Sequence, residues 1–233
     1  MIKAILFDLD NTLIDFWKMK SMSVEAAIRA MQDAGLNINH ETAKLKLYAL
    51  YNELGYEYKY IFEKFLEQVN GKINWKILSN AIVAYRRVRS GFLEPYPRVT
   101  QTLLKLVGQG YKLGIVTDAP SLNAWIRLTR MNLDDFFDVV IGFDDTKQLK
   151  PSELPFKAAL NRLKVNAKEV LMVGDNIKRD ISGAKKLGMK TAFAKYGYVE
   201  SFLSPERSKL VKKFKADFEL SKFEDLLEIV KKI

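Results

Sequence analysis

Two carboxylates, Asp8 and Asp10, lie two residues apart at the end of an apolar run from Ile2 to Phe7. Such a run is typical of a buried strand in a parallel sheet, because these strands are apolar on both faces. Side chains two residues apart point to the same side of an extended chain, so both acids can face one site. Neighbouring carboxylates repel each other unless a cation or a proton lies between them. The pattern predicts a metal ion, a shared proton or both; the alternative is two acids that merely form a turn.

Further polar side chains follow the later predicted strands in the same way. The carboxyl ends of parallel strands lie on one edge of an open sheet, where ligands bind. A hydroxyl, a cation and several carboxylates on this edge suit a phosphate group together with a divalent metal. The residues in question are Thr117, Asp118, Lys150, Asp175 and Asp180.

Strands and helices are predicted to alternate along most of the chain, which indicates an α/β fold with a parallel sheet and right-handed crossovers. Strands are predicted at 2–8, 112–117, 138–142, 170–174, 190–194 and 216–218. Helices are predicted near 98–109, 121–131, 153–164, 177–187 and 221–232, with a short helix after residue 200.

A block of about 75 residues after the first strand has only helical periodicity. Helices are predicted near 17–34, 40–54, 57–69 and 74–90, and Gly35, Gly55 and Gly71 lie at or near their ends, where left-handed cap residues are favoured. The Pro-containing segment Glu94–Pro97 follows. The block is therefore predicted to be an inserted helical bundle.

Composition excludes several classes of function. The 233 residues include no cysteine, which removes disulfides and Cys-based zinc sites, and one histidine, His40, on which any Ser-His-Asp triad would depend. We expect His40 to be a surface or capping residue. No segment is apolar for the length of a bilayer, and no secretory signal is evident. We therefore expect a cytoplasmic protein with no membrane partner.

The net charge of +10 raises the possibility of nucleic-acid binding. The basic residues, however, are spread along the chain and interleaved with 28 acids, and the densest cluster, Arg86–Arg89, is short. A solvated basic surface that attracts small anions is the better interpretation, and no nucleic-acid partner is expected.

The candidate residues and their neighbours together resemble the haloacid dehalogenase-like (HAD) hydrolase superfamily, in its phosphatase branch. The resemblance covers nearly the whole chain and implies a Rossmann-like α/β core of residues 1–15 and 93–233, with an inserted α-helical (C1-type) cap domain of residues 16–92. The four motifs occur in order as Asp8-Leu9-Asp10-Asn11-Thr12, Thr117, Lys150-Pro151 and Gly174–Asp180.

The resemblance also implies a role for each residue. Asp8 would be the nucleophile that forms an aspartyl-phosphate, and Asp10 would protonate the leaving oxygen and then deprotonate the attacking water. Mg²⁺ would offset the repulsion between a carboxylate and a phosphate. The implied metal ligands are Asp8, the Asp10 carbonyl and Asp175, supported by Asp180, and the implied phosphate-binding groups are Thr117, Asp118 through its amide, and Lys150.

The expected function is Mg²⁺-dependent hydrolysis of phosphomonoesters of small metabolites, with triose and sugar phosphates as candidate substrates, by a monomer or a homodimer. Two alternatives stay open. A phosphosugar mutase would keep the same motifs, and a binding module could use a catalytically silent version of the fold, although an intact set of acids argues against the latter. Asp118 departs from the usual pattern, in which Asn is common. Lys150 is preferred to Lys147 as the motif lysine because Pro151 follows it.

Overall fold

A parallel sheet forms the centre of the structure, a computed structural model that describes residues 1–198 and 215–233. Within these ranges the strands are β1 (Ala4–Phe7), β2 (Lys112–Val116), β3 (Val139–Ile141), β4 (Val170–Gly174), β5 (Lys190–Ala194) and β6 (Phe218–Leu220). Their order across the sheet is β3-β2-β1-β4-β5-β6, and every neighbouring pair is parallel.

Strand β1 is central, and its register sets the positions of the first acids. Leu6 lies opposite Gly114 of β2 on one side and Met172 of β4 on the other. All residues of β1 and β4 are buried, as expected for strands covered on both faces. The predicted α/β class with a parallel Rossmann-like sheet is confirmed.

The helices of this part of the chain lie between the strands and after them. The structure differs from the sequence-based expectation in one place near the acids, because the region predicted as one helix at 177–187 begins with a π-helical turn. The short helix expected after residue 200 lies outside the described residues. The helices are α5 (Val99–Gly108), α6 (Ser121–Arg130), α7 (Phe143–Thr146), α8 (Glu153–Leu163), the π turn Ile177–Ile181, α9 (Ser182–Lys186) and α10 (Leu226–Val230).

The chain divides into two compact units, one formed by Met1–Asp15 with Glu94–Ile233 and the other by Phe16–Leu93. The second unit is helical and packs around its own core, which includes Ile28, Leu47 and Phe65. Its helices are α1 (Phe16–Asp33), α2 (His40–Leu54), α3 (Ile61–Asn70) and α4 (Trp75–Gly91).

Asparagine side chains begin two helices of the second unit. Asn39 accepts hydrogen bonds from the first turn of α2, and Asn74 does the same for α4, which satisfies amides that a helix leaves unpaired. His40 is therefore not the cap. It is half-buried, and its Nε2 lies 2.6 Å from a carboxylate oxygen of Glu25.

Two segments of the first unit flank the helical unit in sequence and pair with each other. The amide of Tyr96 donates a hydrogen bond of 2.8 Å to the carbonyl oxygen of Leu13, and Ile14 forms a β-bridge with Pro95. The sheet unit therefore holds the two flanking segments side by side. Among the described residues, no helix has the length and apolar character needed to cross a bilayer.

Candidate active site

Lys150 provides a buried cation at the carboxyl edge of the sheet. Its Nζ lies 2.7 Å from Oδ1 of Asp8 and 2.6 Å from Oδ1 of Asp180. Nζ also donates a hydrogen bond of 2.8 Å to the carbonyl oxygen of Val116, at the end of β2. Burial alone would lower the pKa of Lys150, but the carboxylates of Asp180, Asp8 and Asp118 raise it above its ordinary value. The ammonium group therefore stays charged at neutral pH.

Three buried carboxylates lie close together here, and two of them, Asp8 and Asp180, contact the cation. Asp8, Asp175 and Asp180 each offer one oxygen, and these oxygens lie within 4.8 Å of one another. Burial and repulsion from Asp8 raise the pKa of Asp175 well above its ordinary value. Burial likewise raises the pKa of Asp180, to about 6, although Lys150 opposes this shift. We call Asp8, Lys150, Asp175 and Asp180 the acid–lysine cluster.

The acid–lysine cluster fits a divalent cation with oxygen ligands. Its three carboxyl groups outnumber its one ammonium group, and a divalent cation would offset the repulsion between them. Oδ1 of Asp175 is buried and has no hydrogen-bond partner among the described residues. Buried carboxylate oxygens of this kind are the ligands that Mg²⁺ prefers.

Gly174 and the π turn position Asp180. The amide of Asn176 donates a hydrogen bond of 2.9 Å to Oδ2 of Asp180, which fixes the carboxylate against the end of β4. A Cβ atom on Gly174 would lie 2.5 Å from that same oxygen. The absence of a side chain at position 174 therefore lets Asp180 approach the cluster.

Thr12 and Tyr196 support the loop that follows Asp8. The Oγ1 atom of Thr12 accepts a hydrogen bond of 3.2 Å from the amide of Asp175, and its carbonyl oxygen accepts one of 2.7 Å from the Tyr196 hydroxyl. Asn11 adopts a left-handed φ of 58°, which asparagine tolerates better than most residues. A Cβ atom on Gly197 would lie 1.5 Å from the Asn11 carbonyl oxygen, so glycine is required there.

Thr117 and Asp118 follow β2 directly. Thr117 is buried, and its Oγ1 accepts a hydrogen bond of 3.2 Å from the amide of Ala119. The Asp118 carboxylate accepts a hydrogen bond of 2.8 Å from the amide of Lys150 and pairs with Arg179 at 3.1 Å. The side chain of Asp118 thus holds the backbone of Lys150.

Asp10 pairs with Arg127, a residue outside the four motifs. Nη1 of Arg127 lies 2.7 Å from Oδ2 of Asp10, and the Arg127 side chain is 1% exposed. Arg127 belongs to α6, where Ala124 and Leu128 are also buried. The spacing of these three residues is that of one helix face, so an arginine at an apolar helical position was the available signal.

The structure brings four of the predicted residues, those of the acid–lysine cluster, into direct proximity. Thr117 and Asp118 lie at the same edge of the sheet, and Asp10 lies beside Arg127. Lys147, the rival of Lys150, is exposed and pairs with Asp144 at 2.9 Å. The motifs did not predict Arg127, nor the supporting contacts of Thr12, Arg179 and Tyr196.

Comparisons with known proteins give the same family as the motifs. The family model of the haloacid dehalogenase-like hydrolases matches residues 5–194. A glyceraldehyde 3-phosphate phosphatase of Pyrococcus abyssi is 39% identical over 197 residues, which are 84% of this chain and 83% of that protein. A glyceraldehyde 3-phosphate phosphatase of Methanocaldococcus jannaschii is 35% identical over 233 residues, covering 100% of this chain and 99% of that protein.

A solved structure shares the fold. The HAD phosphatase of Thermococcus onnurineus superimposes with a TM-score of 0.68 at 26% identity and covers 98% of both chains. The parallel sheet and these relatives define a hydrolase with a Rossmann-like α/β core. More specifically, the chain belongs to the haloacid dehalogenase-like hydrolase family, as the sequence motifs predicted.

Proposed function

We propose that this protein is a phosphatase that hydrolyses phosphomonoesters of small metabolites through an aspartyl-phosphate on Asp8. The observation that carries the proposal is the acid–lysine cluster, in which Nζ of Lys150 contacts both Asp8 and Asp180. A carboxylate attacks a phosphate dianion poorly because like charges repel. A buried ammonium group beside Asp8 reduces that repulsion and stabilises negative charge on the phosphoryl oxygens.

In the first step, an Asp8 oxygen attacks phosphorus and the bond from phosphorus to the leaving oxygen breaks. Asp10 gives its proton to that oxygen, so that the product leaves as an alcohol. Thr117 and the amide of Asp118 are assigned to the phosphoryl oxygens.

In the second step, Asp10, now a carboxylate, takes a proton from water. The water oxygen bonds to phosphorus and the bond from phosphorus to Asp8 breaks, which releases inorganic phosphate and regenerates the carboxylate. Dividing the hydrolysis into two displacements replaces one difficult step with two easier ones.

The metal that the cluster fits is assigned as Mg²⁺. Asp8 and Asp175 would hold it together with the backbone carbonyl of Asp10, and Asp180 would support the site. The support is the set of three buried carboxylates whose oxygens lie within 4.8 Å of one another. When bound, Mg²⁺ would supply positive charge to the phosphoryl group.

Glyceraldehyde 3-phosphate is the proposed substrate within this class. Its support is the name shared by the relatives from Pyrococcus abyssi and Methanocaldococcus jannaschii, the second of which aligns along the whole chain. The expectation of a phosphatase acting on triose or sugar phosphates agrees with those relatives.

We assign the helical unit Phe16–Leu93 the role of the cap domain. The support is that it folds around its own hydrophobic core and is inserted between two segments of the sheet unit. Action as a monomer or a homodimer in the cytoplasm, without nucleic acid, stays a prediction.

The test is release of inorganic phosphate from glyceraldehyde 3-phosphate and from p-nitrophenyl phosphate, with and without Mg²⁺. Glucose 1-phosphate, assayed for both isomer formation and phosphate release, separates a phosphatase from a mutase. We expect Mg²⁺-dependent phosphate release and no isomer. Isomer formation, or the absence of phosphate release from every ester, would overturn the proposal.

The variant Asp8→Asn identifies the nucleophile. We expect its turnover to fall by at least about 10³-fold, because an amide cannot form the phosphoenzyme. Asp144→Asn, a partly exposed carboxylate that pairs with Lys147, is the matched control and should retain full activity. Substantial activity of Asp8→Asn, with unchanged circular dichroism, would contradict the assignment.

A further inference from the structure

We infer that Arg127 is a positioning residue for Asp10, holding its carboxyl group in the orientation that the reaction needs. This inference rests on the proposed function, in which Asp10 transfers the proton to the leaving oxygen. The juxtaposition that carries it is Nη1 of Arg127 at 2.7 Å from Oδ2 of Asp10. Arg127 donates to Oδ2, and the proton that Asp10 transfers is assigned to Oδ1.

The location of Arg127 is unusual for a charged residue. Its side chain is almost fully buried, on the face of α6 that also buries Ala124 and Leu128. Burying a guanidinium group is costly unless charge and hydrogen bonds compensate for it. A leucine would be the ordinary choice on such a face. The arginine at this position therefore indicates a specific task, and it pairs with Asp10.

The two acids that follow β1, Asp8 and Asp10, each contact a different positively charged side chain. Lys150 contacts Asp8, whereas Arg127 contacts Asp10, and the two cations come from different parts of the sheet unit. The Asp10 side chain is 23% exposed, so it lies between the buried arginine and solvent. A planar guanidinium group donates in fixed directions and so restricts the rotation of a carboxyl group more than an ammonium group does.

Correct placement of the acid matters most when the leaving group is poor. An alkoxide, as from glyceraldehyde 3-phosphate, needs a proton as it departs, whereas p-nitrophenolate is stable without one. The parameter kcat/KM covers steps up to the first irreversible one, which includes departure of the leaving group. The ratio of kcat/KM for the two esters therefore measures how much proton donation by Asp10 contributes to the reaction. This ratio does not depend on the fraction of a preparation that is folded.

The experiment measures this ratio in wild type, Arg127→Met and Arg127→Lys with Mg²⁺ present. In Arg127→Met we expect kcat/KM to fall about 100-fold for glyceraldehyde 3-phosphate and less than about 5-fold for p-nitrophenyl phosphate. In Arg127→Lys, which keeps a charge but not the planar fork, we expect a loss of about 10-fold for the alkyl ester. Equal losses for both esters would overturn the inference.

A second experiment introduces Arg127→Met into the variant Asp10→Asn. If Arg127 acts through Asp10, adding Arg127→Met to Asp10→Asn should change kcat/KM for glyceraldehyde 3-phosphate by less than about 3-fold. A full further loss would overturn the inference. Arg162→Met is the matched control, because Arg162 forms an exposed pair of 2.7 Å with Asp145, and it should leave the ratio unchanged.

The results of these experiments distinguish failure of the Arg127 inference from failure of the proposed phosphatase function. Wild-type protein that releases phosphate from neither ester would overturn the proposed function and the role of Arg127 together. Wild-type activity with an unchanged ratio in Arg127→Met would overturn the role of Arg127 and leave the phosphatase standing.

Discussion

Nζ of Lys150 lies 2.7 Å from Oδ1 of Asp8, and both side chains are buried. This ion pair joins residues 142 positions apart, one directly after the central strand β1 and one in the loop between α7 and α8. A buried pair of this kind is strongly destabilised when one partner is removed, because the remaining charge is left without compensation. Stability and the proposed chemistry therefore depend on the same contact.

Replacement of Lys150 by methionine is expected to destabilise the protein by about 3–5 kcal/mol, because Asp8 and Asp180 would remain as buried carboxylates without the ammonium group. Added Mg²⁺ should recover part of this loss. The measurement is urea-induced unfolding followed by circular dichroism, with and without Mg²⁺. Lys147→Met, which removes an exposed lysine, should cost less than about 0.5 kcal/mol. Equal effects of the two substitutions would contradict the prediction.

Replacement of Asp175 by asparagine is expected to remove the response to Mg²⁺ without destabilising the metal-free protein. Asp175 is one of three mutually repelling carboxylates, so its neutralisation relieves repulsion. In wild type, Mg²⁺ at 100 times its Kd should stabilise the fold by about 2.7 kcal/mol. Thermal unfolding across a Mg²⁺ titration measures both effects. Asp135→Asn, on an exposed residue, should respond to Mg²⁺ as wild type does.

Gly174→Ala is expected to displace Asp180, since the new Cβ atom would lie 2.5 Å from the Asp180 carboxylate. Displacement in a close-packed region costs about 1–3 kcal/mol and should also weaken Mg²⁺ binding. Gly108→Ala, at the end of α5, meets no atom within 4 Å and should be neutral or slightly stabilising. Unfolding curves and Mg²⁺ titrations of the two alanine variants provide the comparison. An unchanged Mg²⁺ affinity in Gly174→Ala would show that Asp180 does not support the metal site.

The contacts of Asp217 predict that the free energy of unfolding decreases in acid. Burial would raise its pKa, but hydrogen bonds from Thr191 at 2.7 and 2.8 Å and the ammonium group of Lys185 lower it overall. A carboxyl group whose pKa is lower in the folded state stabilises the protein above its unfolded pKa, and that contribution disappears as the pH falls through the folded value.

The corresponding variant is Asp217→Asn, which keeps an acceptor and removes the charge. At pH 7 it should be less stable than wild type by about 0.5–1 kcal/mol, a modest amount because water screens this partly exposed group. The difference should shrink as the pH falls below the ordinary aspartate pKa of about 4 and through the lower pKa of the folded state. Urea unfolding at several pH values tests this, and a difference that grows in acid would have the wrong sign.

The sequence predicted the elements that carry the strongest periodicity. β1 and β4 are apolar runs that end at aspartates, and the rule that parallel strands share one carboxyl edge was enough to place Asp8 near Asp175. Lys150 was preferred to Lys147 because of Pro151, and the structure places Lys150, not Lys147, against Asp8.

Side-chain pairing within the site could not be predicted in the same way. Arg127 faces Asp10 because of the rotation of α6 about its axis, and Tyr196 reaches the Thr12 carbonyl from a segment 184 residues away. Such contacts depend on tertiary packing, which neither periodicity nor motif spacing encodes. The π turn Ile177–Ile181 is also a local departure from helical geometry that an apolar pattern does not distinguish from an ordinary helix.

The pairing of Leu13 with Tyr96 gives the helical insertion a modular character. The sheet unit itself holds these flanking segments together. A different domain whose two termini are similarly spaced could therefore replace the helices without interrupting any strand. Exchange of the inserted helices would then leave the carboxyl edge of the sheet unchanged.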